Sequence, residues 1–208
     1  MIKSLILMSS IRFINYCIYK NKLHNGYTLR SYVTSIIFQS ILLPIYVGIM
    51  LKEKENSLED WLNEETTPIK NIFFNVGISY FLSDISNFMI ARNRKLFFHH
   101  VISIIVLKLG QHLEHGSGYA ALAFTIMEFG SLWISIADFT DRNKFMLFLR
   151  FFFFTITRII GLFFTYKIIS KYTFYKASVI TFFVCGLLYD NFRTGRTMFL
   201  QVELCSYR

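Results

Sequence analysis

The chain has very few of the residues that cross-link or interrupt a small secreted domain. Among its 208 residues there are three cysteines, Cys17, Cys185 and Cys205, which are far apart and include no Cys-x-x-Cys spacing. This distribution excludes a disulfide framework and indicates no zinc site. The sequence Asn-x-Ser/Thr does not occur, so nothing indicates glycosylation, and only Pro44 and Pro68 interrupt the chain.

Hydrophobic residues, by contrast, are abundant and gathered into long segments. They make up 54% of the chain, against roughly 45–50% in an average soluble domain, and include 24 Phe and 12 Tyr. A helix needs about 20 residues to cross the hydrocarbon core of a bilayer. The sequence therefore predicts an all-α membrane protein, a bundle of about six transmembrane helices near residues 31–51, 69–90, 96–111, 117–137, 145–166 and 173–192.

The first 30 residues differ from these segments because a charge divides their apolar part. A spanning helix here would place Arg12 near the bilayer centre at a cost of roughly 2.5 kcal/mol or more. Residues 1–30 are therefore predicted to be an interfacial or cytoplasmic segment, residues 31–195 a transmembrane domain, and residues 196–208 a cytoplasmic tail. A seventh span over the first 20 residues is the alternative, and it would move only the amino end across the membrane.

The net charge of +9 is distributed between the hydrophobic segments rather than along one helical face. This distribution argues against nucleic acid as a partner and indicates contact with anionic headgroups of membrane lipids. Lys and Arg are more frequent in the loops on one side of the predicted bundle than on the other. By the positive-inside rule, both termini are predicted to be cytoplasmic.

Several ionisable side chains lie within or beside the predicted membrane segments between residues 80 and 128. Such groups cost several kcal/mol unless they are paired or hydrated, so they indicate a site: Tyr80, Asp84, His99, His100 and Glu128. Consecutive helical residues point about 100° apart, so the two histidines do not readily bind one metal ion, and no metal site is predicted. A neutral imidazole can accept a proton or attack an acyl carbonyl, and Asp84 or Glu128 would orient it.

Structural roles are the alternative for each of these groups. The histidines would then cap their helix and contact headgroup phosphates, while Asp84 and Glu128 would bond to Ser, Tyr or Arg158 inside the bundle. Arg158 has no acidic residue nearby in its own predicted helix, so Glu128 and Asp84 are its candidate partners. His112 and His115 are interpreted as loop residues, because five histidines are too few for a di-iron lipid hydroxylase site.

Three short segments carry a more specific signal. They are Ser79-Tyr80-Phe81-Leu82-Ser83-Asp84, then Phe98-His99-His100 after a basic turn, then Met127-Glu128-Phe129-Gly130-Ser131. Together with Arg158 in the fifth predicted helix, they resemble the TLC-domain family, which includes ceramide synthases, translocon-associated proteins and smaller lipid-regulating proteins. The resemblance covers about residues 30–195, and it implies a TLC-type bundle.

The resemblance to ceramide synthases is incomplete. In those enzymes the paired histidine belongs to a His-His-x-x-Thr motif that is required for transferring an acyl chain from acyl-CoA to a sphingoid base. Here Ser103 stands at the threonine position, and the acidic residues of a later His-Asp-x-x-Asp motif are missing at Met127 and Gly130, with Glu128 between them. Gln39 stands near the place where many relatives have a histidine. The pattern is more similar to the smaller members, which are implicated in membrane lipid composition.

The resemblance implies a multi-pass membrane protein that binds, senses or modifies membrane lipids, in the endoplasmic reticulum or a related internal membrane by analogy. The alternative is an acyl-CoA-dependent N-acyltransferase, with the His99-His100 pair as base or acyl acceptor and acyl-CoA as a possible co-substrate, with no other cofactor. Contacts to substrate or headgroup are predicted for Arg92, Arg94, Lys95, Arg158, Ser103 and Tyr80. The enzyme hypothesis also predicts a hydrophobic tunnel ending at His100. A channel or transporter is less favoured, because no inverted repeat is visible and the charges do not ring a pore.

Overall fold

A computed structural model describes the chain over residues 1–24, 27–52, 57–91, 94–140 and 143–206, with side chains described in these ranges except at 27, 86–91, 94–96, 190 and 203–206. Helices account for most of it, and a two-residue antiparallel hairpin connects the first two: α1 Ile2–Tyr19, β1 Leu23–His24, β2 Tyr27–Thr28, α2 Leu29–Ile37, a π-helical turn Phe38–Leu42, α3 Leu43–Lys52, α4 Leu58–Asn63, α5 Pro68–Ala91, α6 Arg94–Gly110, α7 Ser117–Phe139, α8 Lys144–Ile169 and α9 Phe174–Ser206. The predicted all-helical class is confirmed.

Local sequence explains where several helices begin. Pro68 opens α5, a position at which its missing N–H costs no intrahelical bond. Asn143 precedes α8, and its side chain accepts a hydrogen bond from the backbone N–H of Met146. Gly116 precedes α7 with a φ of 81°, a left-handed conformation that glycine adopts without strain. His112 and His115 lie in the connection between α6 and α7, as predicted for loop residues.

Three helices in the described ranges are long and apolar enough to cross a membrane: the continuous rod Leu29–Lys52, then Ser117–Phe139 and Lys144–Ile169. Phe97–Gly110 forms a shorter apolar helix. Large apolar side chains, such as those of Ile159 and Phe163 on α8, are exposed on the outside, as expected of a surface that faces lipid. The chain is thus an integral membrane protein in composition and architecture, and the count of six crossings stays a prediction.

The hydrophobic core lies around α5, where Phe73, Phe74 and Phe81 pack against side chains from the neighbouring helices. Close packing between α7 and α8 depends on Gly130, because a Cβ atom there would overlap the hydroxyl of Thr157. These two contacts fix the positions of α5, α7 and α8, which carry most of the candidate site.

The amino-terminal helix α1 packs along α5 and α2 with one face and exposes apolar residues on the other. On the packed face, Met8 is fully buried and Asn15 donates a hydrogen bond to Thr34 at 2.9 Å. On the outer face, Phe13 and Ile18 are exposed. The interfacial position of residues 1–30 stays a prediction, but the helix contributes directly to the core.

The buried Lys70 of α5 binds α4 and the start of α7 through hydrogen bonds. Lys70 is fully buried, and its Nζ donates hydrogen bonds to Glu64 Oε1 at 2.7 Å, the Trp61 carbonyl at 2.8 Å and Ser117 Oγ at 3.1 Å. A Cβ at Gly118 would lie 2.6 Å from the Trp61 carbonyl oxygen, so α4 and the start of α7 approach very closely. At about 1.5 Å per residue, this anchor lies roughly 20 Å along α5 from Asp84.

Candidate functional site

A buried cluster centres on Asp84, near the carboxyl end of α5. Arg12 of α1 approaches Asp84 Oδ1 with its Nη1 at 2.6 Å, and Ser31 of α2 donates a hydrogen bond to the same oxygen at 3.2 Å. The Nε2 atom of His100 lies 3.6 Å from the other oxygen, Asp84 Oδ2. The Asp84 carboxylate on α5 is therefore in contact with side chains of α1 and α2 and lies close to His100 of α6.

The role of Arg12 differs from the one expected from its sequence. Its side chain is buried inside the bundle, where Nε donates to Ser83 Oγ at 2.6 Å and Nη2 to the Tyr80 carbonyl at 3.4 Å. From the sequence alone, Arg12 indicates only an energetic cost to a spanning helix. A signal for the pairing exists, because one apolar segment contains a cation and another contains an acid, each without an opposite charge nearby in its own segment.

Glu128, near the middle of α7, forms a second buried carboxylate centre. Gln39 Nε2 donates a hydrogen bond to Glu128 Oε2 at 2.8 Å. Gln39 lies in the π-helical turn Phe38–Leu42, and turns of this kind often occur at functional sites. The cause of the turn is close by, because Pro44 has no N–H to donate to the carbonyl of Ser40, four residues earlier.

Arg158 of α8 interacts electrostatically with Glu128, one of its two predicted partners, and it donates hydrogen bonds to groups that the sequence does not identify. Its Nε donates to Asn191 Oδ1 at 3.2 Å, Nη1 to the Met127 carbonyl at 2.5 Å and Nη2 to Ser131 Oγ at 2.9 Å. The guanidinium also lies 4.3 Å from the centre of the Phe154 ring. Asn191 of α9 thus joins the site although nothing in the sequence distinguished it from other asparagines.

The two histidines occupy different surroundings. Their rings are nearly perpendicular, with centroids 5.7 Å apart. His100 is buried, and Phe81 contacts it edge-on at 4.8 Å between centroids. His99 is half-buried and lies near Glu128, with which it interacts electrostatically. His100 thus lies 3.6 Å from the Asp84 carboxylate, and His99 interacts with the Glu128 carboxylate.

Two adjoining cavities meet at these residues. The first, called the polar chamber, has a volume of about 180 Å³, and its walls include Tyr80, Asp84, His99, His100, Glu128 and Arg158. The second, called the apolar cavity, has a volume of about 120 Å³, and its walls include Phe74, Ser103, Leu107, Phe124, Val184 and Leu187. Phe81, His99, Glu128, Arg158 and Asn191 line both.

The structure thus brings together most of the residues that the sequence predicted for a site, at the boundary between a polar and an apolar space. The apolar cavity borders His99, whereas His100 lines the polar chamber. Arg92 lies outside the described residues. Arg94 and Lys95 belong to α6, but their side chains are outside the described part of the structure. The roles assigned to all these residues stay predictions.

Two arginine–carboxylate pairs lie at the polar chamber. The first is Arg12 with Asp84, and in the second Arg150 Nη1 donates to Asp138 Oδ1 at 2.8 Å. In the described ranges, no group of three or more His, Cys, Asp or Glu side chains is placed to hold a metal ion. The imidazole, carboxylate and hydroxyl groups that line the polar chamber can transfer protons and form hydrogen bonds to a bound molecule.

A family model described as the TLC domain matches residues 7–202, nearly the whole chain. The chain belongs to the TLC-domain family. No curated protein and no solved structure matches it significantly. The family match begins at residue 7 and so includes most of α1 with Arg12, and the predicted division of the chain at residues 30 and 195 stays a prediction.

Proposed function

We propose that this TLC-domain protein binds a membrane lipid, with the headgroup in the polar chamber and a hydrocarbon chain in the apolar cavity, and so senses or modifies membrane lipids. The observation that carries the proposal is the shared wall of the two cavities, formed by His99, Glu128 and Arg158 among others. An amphiphilic molecule fits this arrangement because a ligand site combines an apolar pocket with a few polar groups that fix orientation.

The size and lining of the apolar cavity support a hydrocarbon occupant. Its volume of about 120 Å³ is comparable with the ~150 Å³ of an engineered apolar cavity that stays dry and binds benzene. Leu107, Phe124 and Leu187 contribute to its walls. A bound chain would replace contacts that the cavity walls otherwise lack.

A second candidate function is an acyl-CoA-dependent N-acyltransferase that resembles ceramide synthase. The position of His99 between the two cavities favours it, because a base there would reach a reacting group at the polar end of a hydrocarbon chain. The imidazole would accept a proton from the amine while the amine nitrogen attacks the acyl carbonyl. It would then return that proton to the departing thiolate of CoA. Arg92, Arg94 and Lys95 would attract the CoA phosphates. The substitution of Gln39 for a family histidine, and the missing acidic motif, argue for lipid binding as the first candidate.

The location of the protein is proposed on sequence grounds. The distribution of Lys and Arg supports cytoplasmic termini, and the family supports the endoplasmic reticulum or a related internal membrane. Membrane lipids are the proposed partners, and nucleic acid is not. Cysteine accessibility to a membrane-impermeant reagent tests the topology: Cys185 near the middle of α9 should be protected in intact vesicles, whereas a cysteine introduced at position 3 should react from the cytoplasmic side.

Lipid binding is tested by filling the apolar cavity. Val184→Trp on α9 should reduce labelling of the purified protein by a photoactivatable fatty-acyl lipid, because the indole would occupy the space of the chain. Val179→Trp is the matched control, since Val179 lies on the same helix, is exposed, and does not line the cavity. Equal labelling of the wild type and both variants would remove the proposed binding site.

Substitutions of the histidines distinguish an enzyme that modifies lipids from a protein that only binds them. Lipid profiles are measured in cells that express the wild type, His99→Ala, His100→Ala or the loop control His112→Ala. If the protein is an enzyme, His99→Ala should abolish the change that the wild type produces and His112→Ala should not. If His99→Ala still binds lipid and leaves the cellular profile like that of the wild type, the transferase candidate is wrong and the binding function stands.

A further inference from the structure

Arg30, the second residue of α2, is a half-buried cation that has no bonded partner in the part of the chain that the structure describes. Its guanidinium donates no hydrogen bond there and forms no ion pair, and its Nε is buried without a partner. Neither Nη1 nor Nη2 belongs to the buried atoms that lack a partner, so both are accessible. Arg30 lines neither the polar chamber nor the apolar cavity. Its two accessible donors can therefore bind a molecule outside these cavities.

The ring of Tyr16 on α1 supports the guanidinium of Arg30. The Cζ atom of Arg30 lies 5.2 Å from the centre of that ring, within the range of a cation–π contact. Tyr16 is 41% exposed, and Phe13, three residues earlier and so on the same face of α1, is 66% exposed. The cation thus lies beside an outward-facing apolar surface, which is the surrounding that a lipid phosphate has next to its own chains.

The position of Arg30 along its helical rod matches the level of lipid phosphates. Leu29–Lys52 is one of the candidate spans, and its 24 residues at about 1.5 Å each give a length of roughly 36 Å. The hydrocarbon core of a bilayer is about 30 Å thick. The ends of the rod therefore extend into the headgroup layers, and Arg30 lies within one turn of an end. Tyrosine, the residue type that supports Arg30, is enriched at this level of the membrane.

The amino-terminal part of the chain offers Arg30 no anion of its own. Residues 1–52 contain six lysines and arginines and no Asp or Glu. Asp84 of α5 interacts electrostatically with Arg30, but its Oδ1 already lies 2.6 Å from Arg12 Nη1. Arg12 and Arg30 also repel each other. The two arginines share one carboxylate, so one positive charge among these three groups is left without compensation.

Two exposed lysines add to this positive charge. Lys20 and Lys22 lie between α1 and β1, in the connection that leads to α2, and both are exposed. The carbonyl of Lys22 accepts a hydrogen bond from the backbone N–H of Leu29 at 2.9 Å, so its backbone lies beside the residue that precedes Arg30. The planar fork of a guanidinium matches the oxygens of a phosphate group, and bonds between these two charged groups are strong. A phosphate therefore fits this combination of donors and charge.

We propose that Arg30, supported by Tyr16 and by the charges of Lys20 and Lys22, binds the phosphate group of an anionic phospholipid on the outside of the bundle. These four residues are called the interfacial phosphate site. The chains of its lipid would lie along the outer face of α1, where Phe13 is exposed. The site is separate from the two cavities and does not depend on the function proposed for them.

The test uses the full-length protein in detergent micelles and a photoactivatable phosphatidate, whose adducts are mapped to residues 13–30 by proteolysis and mass spectrometry. Unlabelled phosphatidate should reduce this labelling. Diacylglycerol with the same chains has no phosphate and should compete at least about tenfold less well, because charge-assisted hydrogen bonds are the strong ones. Inorganic phosphate is the soluble source of the same group, and it should not compete at the same concentration because it has no chains to contact α1.

Arg30→Gln removes the charge without leaving an ion-paired carboxylate behind. It should weaken competition by phosphatidate about tenfold. It also removes the repulsion of Arg12, so its unfolding midpoint in micelles without phosphatidate should not fall below that of the wild type. Added phosphatidate should raise the midpoint of the wild type and not that of Arg30→Gln, because a ligand stabilises only the protein that binds it. Arg30→Lys keeps the charge and should retain part of the binding.

Lys3→Gln is the matched control, because it removes one charge from an exposed position on the same helix as Tyr16. Lys3 lies 13 residues before Tyr16, which corresponds to about 20 Å along α1. The variant should therefore leave unchanged both the labelling of residues 13–30 and the stabilisation by phosphatidate.

Three results would overturn the proposal. Equal competition by phosphatidate and diacylglycerol would show that the phosphate is not recognised. Equal losses in Arg30→Gln and Lys3→Gln would show that the overall positive charge attracts the lipid and that Arg30 has no special role. Competition by inorganic phosphate as strong as that by phosphatidate would assign the site to a soluble anion. The labelling of Val184→Trp reports on the apolar cavity separately, so the function proposed for the cavities stands or fails independently.

Discussion

The pair formed by Arg12 and Asp84 offers the most direct test of the site, because it joins the amino-terminal helix to the proposed lipid site. Arg12→Met leaves Asp84 as a buried carboxylate without its nearest cation. Removing one partner of a buried pair typically costs about 3–5 kcal/mol of unfolding free energy. Ser31 and His100 remain within 3.6 Å of Asp84 and offset part of the loss, so a value near 3 kcal/mol is expected.

The double variant Arg12→Met, Asp84→Asn separates the pair from general packing. Once Asp84 has become an uncharged amide, the loss of Arg12 leaves no buried charge behind. The double variant should therefore be more stable than the sum of the single losses predicts, with a coupling of about 1–3 kcal/mol. Unfolding by sodium dodecyl sulfate in mixed micelles, followed by the fluorescence of Trp61 and Trp133, gives the four free energies.

Additive losses would refute the reasoning, because they would show that Arg12 and Asp84 do not interact in the folded protein. The ion pair between Lys176 and Glu114 provides the comparison, since both side chains are exposed and water screens their charges. The same cycle there should give a much smaller coupling. A comparable coupling in both pairs would also contradict the expected effect of burial.

Three further predictions concern the bundle away from the site. Gly118→Ala should destabilise the protein by about 1–3 kcal/mol, because its Cβ meets the backbone of α4, whereas Gly48→Ala meets nothing within 4 Å and should be neutral or stabilising; unfolding midpoints measure both, and equal midpoints would contradict this. Lys70→Met should cost about 1–3 kcal/mol in the same assay, because it leaves buried acceptors unpaired, and an unchanged midpoint would be the contrary result. The Lys176 ammonium lowers the pKa of Glu114, so any advantage of the wild type over Lys176→Ala should be present near neutral pH and disappear as the pH falls through that lowered pKa; a constant difference at all pH values would exclude this linkage.

The candidate site could be predicted from the sequence where a single residue carried the signal. Asp84, His99, His100 and Glu128 are ionisable groups in apolar segments, and the cost of placing them there identifies each one without knowledge of its neighbours. Arg158 is recognised in the same way, and Glu128, one of its two predicted partners, interacts with it electrostatically. Its hydrogen bonds to Asn191, Ser131 and the Met127 carbonyl depend on packing that the sequence does not show.

Gln39 and Asn191 could not be recognised as part of the site because they are uncharged. Glutamine and asparagine are common outside functional sites, and these two belong to the site through their hydrogen bonds to Glu128 and Arg158. That depends on a carboxylate in α7 and a guanidinium in α8, which the sequence of α9 or of the π-helical turn does not reveal. The resemblance drew attention to Gln39 only as a departure from a family histidine.

The sequence by itself determined the helical membrane class and the family. Long apolar segments indicate spans of the membrane, and the backbone hydrogen bonds of a span in lipid must be made within a helix, so each segment can be recognised without knowledge of its neighbours. Only the tertiary structure decided that α1 supplies Arg12 to Asp84 and that two cavities meet at His99. These features join residues far apart in the chain, and they depend on how each helix is rotated and packed against its neighbours. That rotation is fixed by close contacts such as Gly130 against Thr157, which no local pattern specifies.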